Sequence, residues 1–448
     1  MDADDTLNVF EQRPVWERLA INVAICFQLT EAADEASILK TLQGALDHLA
    51  GNFSWVAGRT VTEGASPAEG KTEVVKIVPR SDNLEISVRD HRGEASVSSA
   101  QSLKEAGYAV AMLDESVFAP RPAFVMVPAK EKPVLLIQAN LVSGGLVLVF
   151  SGCHAAMDMP GLCQIMHWFC KACHNEAFTP QELKAGNMNR RDMIPLLDST
   201  YEQGEELADL IPPTPTAGLR FPRVPCTWAT FQIPSIAVNE IKANASATRT
   251  SAYVSTDDSL SAFLWQSVAR SRVQRLDPAT VSTTCRAIDV RRTLGIPANY
   301  PGLVQNNLFH RYSLSELCEL PLGVVASKFR DTLTRPSPSL NFYTRALATA
   351  LSRSVDKSAF RVTAHMDLSS DLLITSSIPS SAYHLDFAMG LGLPEAVRIT
   401  PQRTFEGMAY MLPKTLAGDV TVVLCLRDED IAALIADGNF GRYAQHMG

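Results

Sequence analysis

A chain of 448 residues exceeds the size at which one hydrophobic core stops growing, so two domains are expected. Hydrophobic residues make up 46% and charged residues 20%, as in an ordinary globular enzyme, and a formal net charge of -8 argues against nucleic acid or an anionic membrane surface as partner. No apolar run reaches the roughly 18 residues of a membrane span. The acidic start Met1-Asp2-Ala3-Asp4-Asp5 is unlike a signal or transit peptide, and the last six residues match no lipidation or peroxisomal address, so a cytoplasmic monomer is expected.

Residues 15–50 read as helical, and Phe53-Ser54-Trp55-Val56-Ala57-Gly58-Arg59 follows as an apolar segment closed by glycine. Between 72 and 90 apolar and polar residues alternate as in strands. Two longer apolar runs, 134–139 and 145–150, predict buried strands joined as a hairpin by Val142-Ser143-Gly144-Gly145. The loop Ser151-Gly152-Cys153-His154-Ala155-Ala156-Met157-Asp158 leaves the second strand, and a helix is predicted from Pro160 to about Asn175. On that helix His167, Cys170, Cys173 and His174 form a C-x-x-C-H cluster. One helix cannot aim adjacent Cys173 and His174 at a single metal together with His167 and Cys170, so no metal is expected. Cys163, Met166, Phe169, Cys170 and Cys173 fall instead at helical spacing on one buried side, and the nine scattered cysteines read as reduced core thiols.

From 179 to 225 prolines recur at 180, 195, 212, 213, 215, 222 and 225, which predicts a crossover at 186–225 between domains 1–185 and 226–448. A strand at 227–233 and a helix at 238–247 come next. Ser255-Thr256-Asp257-Asp258 then opens a helix, and both acids read as first-turn capping residues. A strand at 283–291 ends in Arg291 and Arg292, which read either as surface charges or as partners of a buried acid. A turn at 298–302, helices at 326–333 and 340–353 and a strand at 369–377 follow. The chain closes with a Gly-rich loop at 384–394, strands near 396–400, 407–412 and 419–426, and a helix at 428–435. The Gly-rich loop lacks the strand–helix setting of a dinucleotide or P-loop site. Two halves of alternating strands and helices predict an α/β enzyme with its site between domains.

His154 projects from the end of a strand, a rigid platform, and imidazole is the side chain best suited to general base work near neutral pH. Cys153 points to the other side of an extended segment, and no G-x-S-x-G elbow or cofactor fingerprint is present. Proton abstraction during group transfer from an activated donor remains.

His154-Ala155-Ala156-Met157-Asp158, with Gly161 after it, resembles the HxxxD motif of the BAHD acyltransferases. Asp386-Phe387-Ala388-Met389-Gly390, followed by Pro394-Glu395-Ala396-Val397-Arg398, stands where that family carries D-F-G-W-G. HxxxD alone is weak, but both motifs in order over nearly the whole chain are specific. Within the family the chain looks like the fungal trichothecene 3-O-acetyltransferase type. That likeness rests on Ala109-Val110-Ala111-Met112-Leu113-Asp114, Ser255-Thr256-Asp257-Asp258-Ser259, Asn299-Tyr300-Pro301-Gly302 and Leu426-Arg427-Asp428-Glu429-Asp430.

The resemblance implies two chloramphenicol-acetyltransferase-like domains, the first joined by residues 386–412. A channel at their interface would admit CoA and acceptor from opposite ends. It implies an acyl-CoA-dependent O-acyltransferase, most simply an O-acetyltransferase, acting on a hydroxyl of a fungal-type secondary metabolite such as a terpenoid or polyketide. Acyl-CoA (acetyl-CoA) is then a co-substrate, with no bound cofactor. His154 would be the general base, and Asp158 a structural residue paired with Arg291. Asp386, Phe387 and Gly390 would shape the channel.

Two departures stand out: DFAMG lacks the middle glycine and the tryptophan, and Ile378 follows Thr375-Ser376-Ser377 where close relatives tend to carry tryptophan. They place Thr375, Ser376, Ser377, Ile378 and Met389 at an altered acceptor pocket. Two other readings stay open. One is a condensation-type enzyme forming amides or esters, although Cys153 stands where those usually carry a second histidine. The other is an acyltransferase fold repurposed for cyclisation or rearrangement.

Overall fold

In the computed structural model the apolar run at 145–150 lies within the strand Gly145–Cys153, whose nine residues are all buried. The described residues are 6–30, 33–69, 71–80, 84–212, 224–336, 338–401 and 403–448; the acidic start and the prolines at 213, 215 and 222 lie outside them. Gly145–Cys153 pairs antiparallel with Leu135–Val142 across the tight turn at Ser143 and Gly144, where Gly144 has φ 76°. Its other edge pairs with Ala20–Gln28. Ala396–Ile399 and Ser87–Asp90 complete this five-stranded sheet on its two edges.

The helical reading of 15–50 is corrected: Ala20–Gln28 is a strand, and the α-helix is Glu35–Asn52. Seven consecutive residues of that strand, 21–27, are buried. A strand covered on both faces carries no period-2 signal to separate it from a buried helix.

The second sheet has seven strands, in the order Gln305–Ser313, Val281–Asp289, Leu372–Ser376, Met408–Met411, Val420–Arg427, Cys226–Ile233 and Gln445–His446. Leu372–Ser376 runs parallel to both neighbours, and the other pairings are antiparallel. The edge strand Gln305–Ser313 escapes sequence reading because polar Asn306 and His310 occupy buried positions of its alternation. A small three-stranded sheet is formed by Val74–Val78, Arg59–Glu63 and Glu131–Pro133.

The halves interlock more tightly than a split at 186–225 suggests. The segment 386–412, expected to rejoin the first domain, contributes to both sheets: Ala396–Ile399 pairs with Ala20–Gln28, whereas Met408–Met411 lies inside the second sheet. The helix Leu340–Arg353 buries Ala346, Leu347 and Leu351 in the same apolar cluster as Phe150 and Phe169 of the first half. The Pro-rich crossover is also less irregular than expected. Thr179 and Glu182 form a capping box on the helix Pro180–Gly186, and Leu207 and Leu210 anchor a 3-10 turn.

Asp258 does cap its helix, in a box with Ser255, but it is also fully buried and ion-paired to Arg286 and Arg330. The helix Met159–Cys173 buries Ile165, Met166, Phe169 and Cys173. Cys163 and Cys170, expected on that same side, are only half-buried: Ser380 donates to Cys163 Sγ at 3.2 Å, and the Cys170 thiol donates to the Asp386 carbonyl at 3.0 Å. Among the described residues no helix is long and apolar enough to cross a membrane.

Candidate active site

The strand Gly145–Cys153 delivers His154 to the junction of the two halves. The His154 amide donates to the Leu19 carbonyl at 3.1 Å, and the amides of Ala156 and Met157 close a turn on the Cys153 carbonyl. Nδ1 of His154 lies 3.1 Å from the Met157 carbonyl. A carbonyl only accepts, so this contact places the ring proton on Nδ1 and leaves the Nε2 lone pair free. Trp16 packs on the imidazole with ring centroids 4.7 Å apart and planes at 30°, its own N–H donating to the Phe10 carbonyl. Burial pushes the His154 pKa down, against the opposing pull of its backbone contacts and the Asp158 charge.

Asp158 is the N-cap of the helix Met159–Cys173 and accepts the Gly161 amide at 2.8 Å. Its two oxygens also take Arg291 Nη2 at 2.7 Å and Nη1 at 3.0 Å, and the Val304 amide donates at 2.9 Å. These four bonds occupy the carboxylate, and both members of the pair are 1% exposed. Arg291 does not end a strand as expected. The strand stops at Asp289, and Arg291 opens the short helix Arg291–Leu294. Its remaining donors reach the carbonyls of Tyr300 and Gly302 and the Asp289 carboxylate. A Cβ on Gly161 would lie 1.9 Å from the Pro301 carbonyl oxygen, so only glycine lets the helix approach the 300–304 loop.

His154 opens on a cavity of about 670 Å³ between the sheets. Trp16, Leu19, Ile21 and Phe124 line it from the first half, and Phe360, Leu373, Thr375, Met408 and Tyr410 from the second. Of the residues expected at the acceptor pocket, Thr375 alone lines this cavity. Leu373 and Thr375 face it, so the alternation of the strand turns Leu372, Ile374 and Ser376 to the other side. Ile378 is buried in the core of the second sheet and Met389 in that of the first. Ser377 donates to the Met411 carbonyl at 3.1 Å, and Ser376 accepts the Ile378 amide.

The Asp386–Gly390 loop also stands off the cavity. Phe387 is fully buried among Phe27, Phe150 and Phe169, and Asp386 accepts the Ala388 amide at 3.0 Å. Ala388 has φ 53° and Gly390 φ 73°. Sequence reasoning missed Trp16, Phe360 and Tyr410, which lie far apart in the chain and carry no local pattern. A period-2 count along Leu372–Ser376 was the one usable signal for Leu373.

A model described as the Transferase family matches residues 116–440, and one described as the trichothecene 3-O-acetyltransferase-like N-terminal domain matches residues 19–173. The chain belongs to the BAHD acyltransferases. This acyltransferase is 40% identical over 454 residues to the O-acetyltransferase dmxR13 of Cryptosporiopsis sp. (strain 8999), covering 100% of the chain and 98% of the relative. It is 38% identical over 452 residues to the trichothecene 3-O-acetyltransferase TRI101 of Fusarium sporotrichioides, covering 99% of the chain and 97% of the relative. The crystal structure of F. graminearum TRI101 complexed with coenzyme A and deoxynivalenol matches the acyltransferase with a TM-score of 0.94 at 35% identity, covering 99% of both chains.

Proposed function

We propose that this acyltransferase moves an acyl group, most simply acetyl, from acyl-CoA to a hydroxyl of a terpenoid or polyketide alcohol, with His154 as general base. One observation carries the reading. With Nδ1 committed to the Met157 carbonyl, His154 lines the cavity between the two halves with its Nε2 lone pair uncommitted. The acceptor oxygen attacks the thioester carbonyl while its proton passes to Nε2. The tetrahedral intermediate then expels the CoA thiolate, and the imidazolium returns the proton to the sulfur. The products are an ester and free CoA.

Burial keeps the imidazole neutral and ready to accept a proton. A general base contributes about 10²–10⁴-fold, and holding thioester and hydroxyl together contributes roughly 7–11 kcal/mol at best. Asp158 and Arg291 act structurally, setting the turn that carries the base.

Several observations support the substrate classes. One relative of this chain is an O-acetyltransferase and another a trichothecene 3-O-acetyltransferase, and the F. graminearum structure holds coenzyme A together with deoxynivalenol. The apolar walls suit a low-polarity polycyclic alcohol. The enzyme works as a monomer, since one chain supplies both walls of the cavity, and in the cytoplasm, where its nine free cysteines stay reduced.

Incubation of the pure protein with acetyl-CoA and a panel of terpenoid and polyketide alcohols, following thiol release and ester mass, tests this. Thiol release that depends on the alcohol is expected. A protein that takes up no acetyl-CoA at millimolar concentration overturns the reading. His154→Ala is expected to lower kcat about 10²–10⁴-fold with an unchanged melting temperature.

A further inference from the structure

A second buried carboxylate–guanidinium pair grips the His154 turn from the N-terminal segment. Glu11 is 0% exposed and Arg190 8%. Glu11 Oε1 accepts Arg190 Nη1 at 2.8 Å and the Leu303 amide at 3.0 Å, and Oε2 accepts the Asn8 amide at 2.7 Å. The same Nη1 donates to the Ala156 carbonyl at 2.7 Å. The guanidinium also covers the face of Trp55, 4.3 Å from the ring centroid.

Side by side, the two ion pairs are coordinated. Arg190 holds the carbonyl of Ala156 and Arg291 holds the side chain of Asp158, so the residues on both sides of Met157 are gripped. Glu11 takes the amide of Leu303 and Asp158 the amide of Val304, so successive peptides of one loop are held by two different acids. Met157 is the residue whose carbonyl receives Nδ1 of His154. The peptide that carries this carbonyl is thus flanked by the held Ala156 carbonyl on one side and the held Asp158 side chain on the other.

We propose that Glu11 and Arg190 are positioning residues for the acyl transfer: they fix the Ala156–Met157 peptide and, through the Met157 carbonyl, the direction of the His154 imidazole. The proposal rests on His154 being the general base. Neither residue touches the cavity that holds the reacting groups. Their removal therefore lowers kcat and leaves substrate binding alone, because a base displaced by about 1 Å costs on the order of 10²-fold in rate.

The test uses acetyl-CoA and the alcohol of the panel with the highest turnover, with kcat expressed per folded molecule. Glu11→Gln and Arg190→Gln are each expected to lower kcat roughly 10–100-fold, with both KM values within about twofold of the parent. A merely structural pair moves melting temperature and folded yield but not kcat per folded molecule. The paired replacement Glu11→Leu with Arg190→Met separates the two cases. Removing both buried charges together recovers stability, yet leaves the Ala156 carbonyl ungripped, so kcat stays low. Glu11→Asp, which keeps the charge and shortens the reach, serves where a single neutral variant does not fold, and an intermediate kcat is expected.

Parent-level kcat per folded molecule in the paired variant, or in Glu11→Asp, overturns the proposal, as does a loss carried by KM. His154→Ala is measured alongside. If it retains kcat within about tenfold of the parent, far less than a general base supplies, the general-base reading itself fails. If it is inactive while the paired variant turns over normally, only the positioning role fails.

Discussion

Asp158 receives two hydrogen bonds from Arg291 and one each from the amides of Gly161 and Val304, while His154 spends Nδ1 on the Met157 carbonyl. The two motif residues therefore share a turn without sharing a hydrogen bond. Asp158→Asn removes the charge that Arg291 faces at 1% exposure, and breaking a buried pair from one side costs roughly 3–5 kcal/mol. A large fall in melting temperature is expected, and calorimetry checks it. The pH dependence of the reaction belongs to the proposed base. Burial lowers the His154 pKa below its ordinary 6.5, so the folded enzyme keeps the imidazole neutral as pH falls to that value and protonates it only at lower pH. The acidic limb of kcat/KM accordingly has its midpoint below 6.5. A midpoint at or above that value contradicts the assignment.

At the scale of elements, the second motif works as packing. Its aromatic ring fills the space between the first sheet and the helix Met159–Cys173, and the Asp386 carbonyl accepts from Cys170 on that helix and from His174 at its C-cap. Ala388 holds φ 53° at the position where the family signature has glycine. A left-handed backbone costs an L-residue about 1–2 kcal/mol, partly offset by the entropy that glycine gains in the unfolded chain. Ala388→Gly is therefore expected to stabilise the enzyme by about 0.5–1 kcal/mol with unchanged acceptor preference, read from denaturant midpoints.

The cavity on which His154 opens is a property of the whole molecule, since its walls come from residues near 16–22, 124, 360, 373–375 and 399–410. Leu373→Trp, which fills that space, should reduce kcat/KM for bulky alcohols more than for small ones. Met389→Trp restores the family residue at a buried site away from the cavity. It should leave the ranking of alcohols unchanged and destabilise by about 1–3 kcal/mol through overpacking. Competition assays with mixed alcohols, set beside thermal melts, distinguish these outcomes.

The two motifs were legible because each is a short segment whose chemistry is local. His154 needs a strand end, Asp158 a helix N-terminus and Gly161 a close approach, all within eight residues. The partner Arg291 was legible only through family resemblance, since it lies 133 residues from Asp158. The strand Ala20–Gln28 was misread because burial on both faces erases periodicity, and Gln305–Ser313 was missed because polar residues occupy its buried positions. Ile378 and Met389 were assigned to the pocket from their departures from the family pattern. In the structure Ile378, just past the end of the strand Leu372–Ser376, and Met389, beside the left-handed Ala388, are both buried in the cores. The amino-acid sequence by itself thus determined the fold class, the histidine proposed as the base and the acid that caps the next helix, since these motif residues are neighbours along the chain. Tertiary structure alone decided which side chains face the cavity and which buried charges meet, because both depend on how distant strands align across two interlocked sheets.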